Sequence, residues 1–318
     1  MLLYTHSLCL AHDAGPGHAE TPARLHSVLA ALTTPPLNLL ARQAPVATAE
    51  QLQRVHTTEH VAKMLGLTDT SEPVVLDADT SASRHSIAAA LHAAGATIAA
   101  VNAVWAGPDH QAFCAVRPPG HHAEPQQAMG FCYFSNAAVG AAHALTFPAV
   151  ERVAIVDFDV HHGNGTQAWA ETEPRALFCS THQLPLYPGT GFAHETGAHG
   201  NILNVPLVPG AASTEFRKAY TDVVLPRLAA FAPDMLFVSA GFDAHAFDPL
   251  GGMQLLEADY AWVGAELADA ARRLCNGRMV SCLEGGYDPP SLGSSARAYC
   301  EAVMAVMAPA ATGRVSVG

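Results

Sequence analysis

Cationic side chains are scarce in this chain: 16 Lys and Arg stand against 28 Asp and Glu, a formal net charge of −12. Nucleic acids and anionic membranes are held by clustered positive charge, so this balance argues against both as partners. A cationic substrate remains compatible. Charge of either sign is thin, at 14% of residues against about 25% in ordinary globular proteins, while 50% are hydrophobic. A disordered or heavily solvated chain is therefore excluded, and a large buried core is expected. The seven cysteines, Cys9, Cys114, Cys132, Cys179, Cys275, Cys282 and Cys300, are odd in number, scattered and free of any CxxC. That pattern excludes a disulfide framework or a Cys-rich zinc site and makes a reducing cytoplasm the expected location. The N-terminus, Met1-Leu2-Leu3-Tyr4-Thr5-His6, has neither a basic start nor a long apolar run, so it does not read as a secretory signal. Repeats, low-complexity tracts and long linkers are missing. So are GxSxG, GxxxxGK[ST] and a GxGxxG after a strand, which removes the basic parts of serine-hydrolase, P-loop and dinucleotide-binding sites.

What the chain does contain is organised as alternating strands and helices. Its 318 residues exceed the usual single-domain length of about 150, but α/β domains reach this size. Thr21-Pro22 supplies an N-cap and first helical residue for a helix to about Leu32, halted by Pro35-Pro36. Thr48 followed by Gln51 is a capping-box pattern for a second helix. The uncharged stretch Ser86–Ala106 is long enough to span a membrane, but it is Ala-rich and carries His92, Gly95 and Asn102, so it reads as buried helix. Short apolar runs follow at 112–116, 153–160, 176–179, 202–207, 235–239 and 278–283, separated in several places by helical stretches at 136–145, 213–231 and 255–274. Continuous apolar strands alternating with helices predict a single three-layer α/β/α domain with a mainly parallel central sheet. That domain is expected over 1–308, with 309–318 as a C-terminal tail.

In such a sheet, ligands bind beyond the carboxyl ends of the strands. The residues there are Arg117-Pro118-Pro119-Gly120-His121-His122, then Asp157-Phe158-Asp159-Val160-His161-His162-Gly163-Asn164-Gly165, then Ala240-Gly241-Phe242-Asp243, and finally Glu284-Gly285-Gly286-Tyr287. Four strand ends thus deliver His, Asp or Tyr beside glycines that permit close backbone approach. An extended Asp157-x-Asp159-x-His161 would place all three groups on one face, costly unless they are paired or metal-bound. Asp159, His161 and Asp243 together make a ligand set that leaves coordination positions open, as a hydrolytic metal needs. Imidazole with carboxylate oxygens suits Zn²⁺, and Fe²⁺ or Mn²⁺ is also compatible. By contrast, His194-Glu195-Thr196-Gly197-Ala198-His199 spaces its histidines five apart and reads as a glycine-bounded loop rather than a metal-binding helix.

These motifs resemble the histone deacetylase superfamily, on its class II and bacterial deacetylase-like side, from about His12 to Tyr287. The resemblance is carried by RPPGHHA at 117–123, GFCYFSN at 130–136, DFDVHHGNGTQ at 157–167, YPGTG at 187–191, SAGFDAHAFDPLGG at 239–252 and EGGY at 284–287. Gly15-Pro16-Gly17-His18 is similar to the class II entrance loop. The resemblance implies a zinc-dependent deacetylase acting on acetylated lysine in proteins or peptides, or on a small acetylated amine such as an acetylpolyamine. It implies Asp159, His161 and Asp243 as ligands of one Zn²⁺, and His121 and His122 as the catalytic pair, with His122 the general base and then acid. Asp157 would hold His121, and Asn164 stands where class I members carry a second aspartate. Tyr287 would hydrogen-bond the substrate carbonyl, Phe131 and Tyr187 would wall the channel, and Gly130 would offer its carbonyl to the substrate amide. Asp157, Ser180 and Thr181 match a structural K⁺ site. Leu250, after Asp248-Pro249, occupies a position where polyamine-selective relatives place Glu, which favours acyl-lysine. An arginase-like two-metal site would need a further Asp where this chain has Gly163. A scaffold with a defunct site is disfavoured by the complete residue set.

Overall fold

The computed structural model describes residues 1–68, 70 and 72–307, so the tail expected at 309–318 lies outside the described residues. The chain opens with strands β1 (Leu2–Thr5) and β2 (Ala41–Gln43), followed by a separate antiparallel pair, β3 (Val74–Val75) and β4 (Ser81–Ala82). Then come β5 (Gln111–Cys114), β6 (Val153–Asp157), β7 (Ala176–Gln183), β8 (Ile202–Leu207), β9 (Met235–Ala240) and β10 (Met279–Leu283). Among the described residues the central sheet has eight strands in the order β2-β1-β5-β10-β9-β6-β7-β8. Every pairing in it is parallel. This is the α/β architecture expected, with flanking helices covering the sheet.

Strands β5, β6, β9 and β10 are buried along their whole length, which is why they read as unbroken apolar runs. They are also adjacent, in the order β5-β10-β9-β6, so the four motif-bearing ends emerge side by side. The long uncharged helix Ser86–Ala106 is mostly buried, packing on Asn136–Ala144 and the sheet. A Cβ added at Gly95 would lie 1.9 Å from the Pro45 carbonyl oxygen, so only glycine lets that helix approach the chain there. Helices Pro22–Thr33, Glu257–Cys275 and Pro289–Met307 pack together as a second group.

Several boundaries differ from expectation. The capping box forms, with Thr48 N–H on Gln51 Oε1 at 2.8 Å and Gln51 N–H on Thr48 Oγ1 at 3.3 Å, but its helix is only Ala49–Leu52. The helical run from Ser213 to Phe231 contains a π-turn at Tyr220–Val224, where Leu225 N–H bonds the Tyr220 carbonyl. Pro226 follows immediately, and its missing N–H removes the next regular helical bond. Strand β1 is too short to carry a pattern, whereas Asp288-Pro289 is the same kind of helix start as Thr21-Pro22, with Asp288 Oδ2 accepting from Ser291 N–H at 3.1 Å, and it was passed over.

Candidate active site

The strand that carries Asp157 ends there, which corrects the expectation of an extended Asp157-x-Asp159-x-His161 run. Past the strand the chain curls on its own carboxylates. Asp157 Oδ1 accepts from Asp159 N–H at 3.0 Å, and Asp159 Oδ1 accepts from His161 N–H at 2.9 Å. Short acidic side chains capture nearby backbone donors in this way and divert the chain from regular structure. As a result Asp157 turns toward His121, while Asp159 and His161 converge with Asp243.

His161 Nδ1 lies 3.1 Å from Asp159 Oδ1 and 3.1 Å from Asp243 Oδ2. One donor atom from each of the three residues falls within 4.8 Å of the others, and all three residues are buried. Burial opposes charge on His161, but hydrogen bonds to Asp159 and Asp243 and their charges outweigh it and push the imidazole up to about 10. A group with such a demand for positive charge, built from one imidazole and two carboxylates, fits a divalent cation in the proton's place. Asp243 is steadied by Val160 N–H on its Oδ1 at 2.8 Å, and Asp159 by Gly285 N–H on its Oδ2 at 2.7 Å. Position 285 must be glycine for this, since a Cβ there would lie 1.9 Å from Asp243 Oδ2. A second metal has no room for its extra carboxylate: a Cβ at Gly163 would stand 2.3 Å from Asp157 Oδ2.

Beside this cluster the tandem histidines are held differently. His121 Nδ1 donates to Asp157 Oδ2 at 2.9 Å, and the Gly120 and His121 amides donate to Glu284 Oε2 at 2.6 and 3.1 Å. Burial opposes a charge on His121, but Asp159, Asp157 and Glu284 prevail and raise its basicity. His122 Nδ1 lies 2.8 Å from Asn164 Oδ1. Burial, with His121 and His161 nearby, holds His122 well below the ordinary imidazole range. Two adjacent imidazoles are thus driven in opposite directions, an arrangement suited to acid–base work.

A cavity of about 240 Å³ leads to His161, lined by Asp79, Gly130, Phe131, Leu186, Tyr187 and Leu250. Asp79 Oδ1 accepts from Gly130 N–H at 3.1 Å and Thr80 Oγ1 from Phe131 N–H at 2.9 Å, holding Phe131 at φ 67°. His18 from the entrance loop packs edge-on to Phe131, with centroids 4.6 Å apart. Tyr187 meets His122 edge-to-face at 5.1 Å. Tyr287 lies edge-on to Phe131 at 5.9 Å and has Arg24 4.6 Å from its ring centroid. Its loop is tethered by Tyr287 N–H on Asp248 Oδ2 at 2.6 Å and by Arg24 donating to the Gly286 and Glu284 carbonyls at 2.5 Å each. The phenol is therefore on a held loop.

Asp157 and Ser180 are register partners, and Thr181 Oγ1 donates to the Asp157 carbonyl at 3.5 Å. The three residues expected at a K⁺ site are thus together. The His194–His199 stretch is a loop, as expected. Sequence reasoning gave no role to Asp79, Asp248, Glu284, Glu20 or Arg24. Buried Glu20 accepts from Arg117 at 2.5 and 2.6 Å and from Arg24 at 2.7 Å, joining the segment before the tandem histidines to the tyrosine loop. Glu284 and Arg117 stood inside recognised motifs and could have been flagged as charges too buried to be unpaired. Asp79 had no local signal.

Buried His56 backs the same region, donating from Nδ1 to the Glu124 carbonyl at 3.0 Å and accepting Ser135 N–H at Nε2 at 2.9 Å. Burial, with His60 adding to it, pulls His56 down to about 3. The unfolded chain binds more protons between pH 3 and its own pKa of about 6.5, so stability from this group is full above that pH and is lost as pH falls. His56→Gln is expected to lose about 2 kcal/mol less than the wild type between pH 6.5 and 5, read from urea unfolding at both values.

Four strand ends thus converge on a buried Asp-His-Asp group. The histone deacetylase domain model matches residues 18–303. The chain belongs to the histone deacetylase family. Within it, a histone deacetylase-like amidohydrolase of Pseudomonas aeruginosa is 41% identical over 306 residues, covering 88% of this chain and 80% of that protein. A probable deacetylase of Archaeoglobus fulgidus is 36% identical, covering 89% and 80%. The crystal structure of HDA15 HD domain superposes with a TM-score of 0.87 at 37% identity, covering 96% of this chain and 91% of that one. This histone deacetylase-family chain thus shares its fold with the HDA15 HD domain, and hydrolase chemistry follows from family membership.

Proposed function

We propose that the protein is a zinc-dependent deacetylase that hydrolyses the side-chain amide of acetylated lysine in a protein or peptide. The observation that carries this reading is the largely apolar channel that leads to His161 of the buried Asp159, His161 and Asp243 group. Its volume of about 240 Å³ and its lining suit an unbranched aliphatic chain ending in a neutral amide. Bound there, zinc would supply Lewis-acid polarisation of the acyl carbonyl and a lowered pKa for the attacking water.

The chain's own groups do the rest. Phe131 and Tyr187 enclose the methylene stem, and the Gly130 carbonyl accepts the substrate N–H. His122 takes a proton at Nε2 from the attacking water and returns it to the departing amine nitrogen. Asp157 keeps His121 oriented and offsets its charge. The Tyr287 phenol donates to the carbonyl oxygen as negative charge develops on it. Burial holds this phenol well above its ordinary pKa, so it stays protonated as a donor. Tyr287→Phe is expected to lower kcat roughly 10²- to 10³-fold, the usual loss for one oxyanion donor, in steady-state assays with an acetyl-lysine peptide.

Asp157, Ser180 and Thr181 are proposed to hold a structural K⁺. The acidic balance fits neither nucleic acid nor membrane as a partner, and seven unpaired, buried thiols suit a cytoplasmic setting. Acetylpolyamine hydrolysis is the second reading, favoured by the Asp79 carboxylate in the channel lining. Apolar Leu250 in the same lining favours acyl-lysine. Turnover of an acetyl-lysine peptide, acetylspermidine and acetylputrescine on zinc-loaded enzyme separates them. A higher kcat/KM for either polyamine overturns the lysine assignment.

A further inference from the structure

We infer that Glu124 is a positioning residue for the general base: through Asn164 it holds His122 in the tautomer that carries its proton on Nδ1 and leaves Nε2 free. The inference rests on the reading of His122 as the base.

The orientation of the Asn164 amide decides the matter. Its Nδ2 lies 2.8 Å from Glu124 Oε1 and 3.4 Å from Met129 Sδ. An ionised carboxylate and a thioether can only accept, so the amide's NH₂ must face them and its oxygen must face the other way. That oxygen is 2.8 Å from His122 Nδ1. An amide oxygen has no proton to give, so Nδ1 must be the donor, and the lone pair of neutral His122 sits on Nε2. A flipped amide would offer NH₂ to Nδ1, move the ring proton to Nε2 and disarm the base.

Glu124 is itself held. Its backbone exchanges hydrogen bonds of 2.9 and 3.3 Å with Gln127, and its carbonyl takes the His56 Nδ1 proton at 3.0 Å. Asn164 begins the helix Asn164–Ala170, and the next two amides, Gly165 and Thr166, donate to the His121 carbonyl at 2.9 and 3.1 Å. One segment therefore fixes the backbone of one histidine and the ring of the other. The arrangement also places a carboxylate behind the base at one remove. Direct contact would bind the imidazolium more tightly, whereas the intervening amide sets the tautomer without that pull.

The test uses the zinc-loaded full-length protein, an acetyl-lysine peptide and two variants, Glu124→Leu and Glu124→Gln. Glu124→Leu removes the acceptor and is expected to lower kcat roughly ten- to hundredfold, with KM within about twofold. Glu124→Gln can still accept from Asn164 through its amide oxygen, and is expected to recover the rate to within about threefold of wild type. Long-range ¹H–¹⁵N NMR of the His122 ring provides an arm independent of turnover. The wild type should show a protonated Nδ1 and a lone-pair Nε2, and the opposite spectrum would overturn the inference even where Glu124→Leu does not fold. Unchanged kcat in a folded Glu124→Leu, an equal loss in Glu124→Gln, or wild-type His122 protonated on Nε2 overturns the inference. Wild-type protein that turns over no acylated amine would sink the functional reading instead, and the ring spectrum would still be readable.

Discussion

His122→Ala lowers kcat for acetyl-lysine hydrolysis by about 10³- to 10⁴-fold while KM stays within a few fold, because the lost interactions are made in the transition state. The size follows from the double duty of one nitrogen. Nε2 must receive a proton when water attacks and deliver it to an amine that otherwise leaves as a poor anion. His121 cannot substitute. Its Nδ1 is committed to Asp157 at 2.9 Å, and the surrounding carboxylates favour its charged form. His122 is driven the other way, toward the neutral form a base needs. The measurement is a steady-state comparison at matched zinc occupancy, with circular dichroism confirming the fold. A variant with near-normal kcat would move the base to another group.

Asp243→Asn has a comparably large effect by a different route. The substitution preserves shape, and an amide oxygen can still accept from Val160 N–H as Asp243 Oδ1 does at 2.8 Å. What disappears is one of two negative charges in the ligand set. Mutating mere outer-sphere partners of metal ligands costs about 10- to 100-fold in affinity, so loss of a direct anionic ligand should cost at least about 100-fold. Zinc retention after dialysis against a competing chelator should fall accordingly, and turnover should fall with it. Full zinc retention by Asp243→Asn would remove Asp243 from the site.

Much of the site was legible because chemistry and strand order coincide. Asp159, His161, Asp243, His121, His122 and Tyr287 stand just past apolar runs, and parallel β-sheets deliver such residues to one edge. What sequence could not show was how Asp157 and Asp159 bend the chain after β6. That depends on side chains capturing backbone amides at 3.0 and 2.9 Å, not on strand periodicity. Nor could it show the supports drawn from distant segments. Asp79 reaches Gly130 across 51 positions, Glu20 reaches Arg117 across 97, and Arg24 reaches Gly286 across 262. No local pattern records contacts made only after folding. Fold class was the easier reading, since fully buried central strands leave unbroken apolar runs between long helical stretches, whereas β1 is too short to stand out.

The most direct measurement is acetate release from an acetyl-lysine peptide as zinc is titrated into metal-stripped, full-length protein. The account predicts activity that rises in proportion to added zinc and levels off at one ion per chain, the one three-ligand group among the described residues setting the stoichiometry. No acetate at one equivalent, or activity that appears only with a second ion, would contradict it.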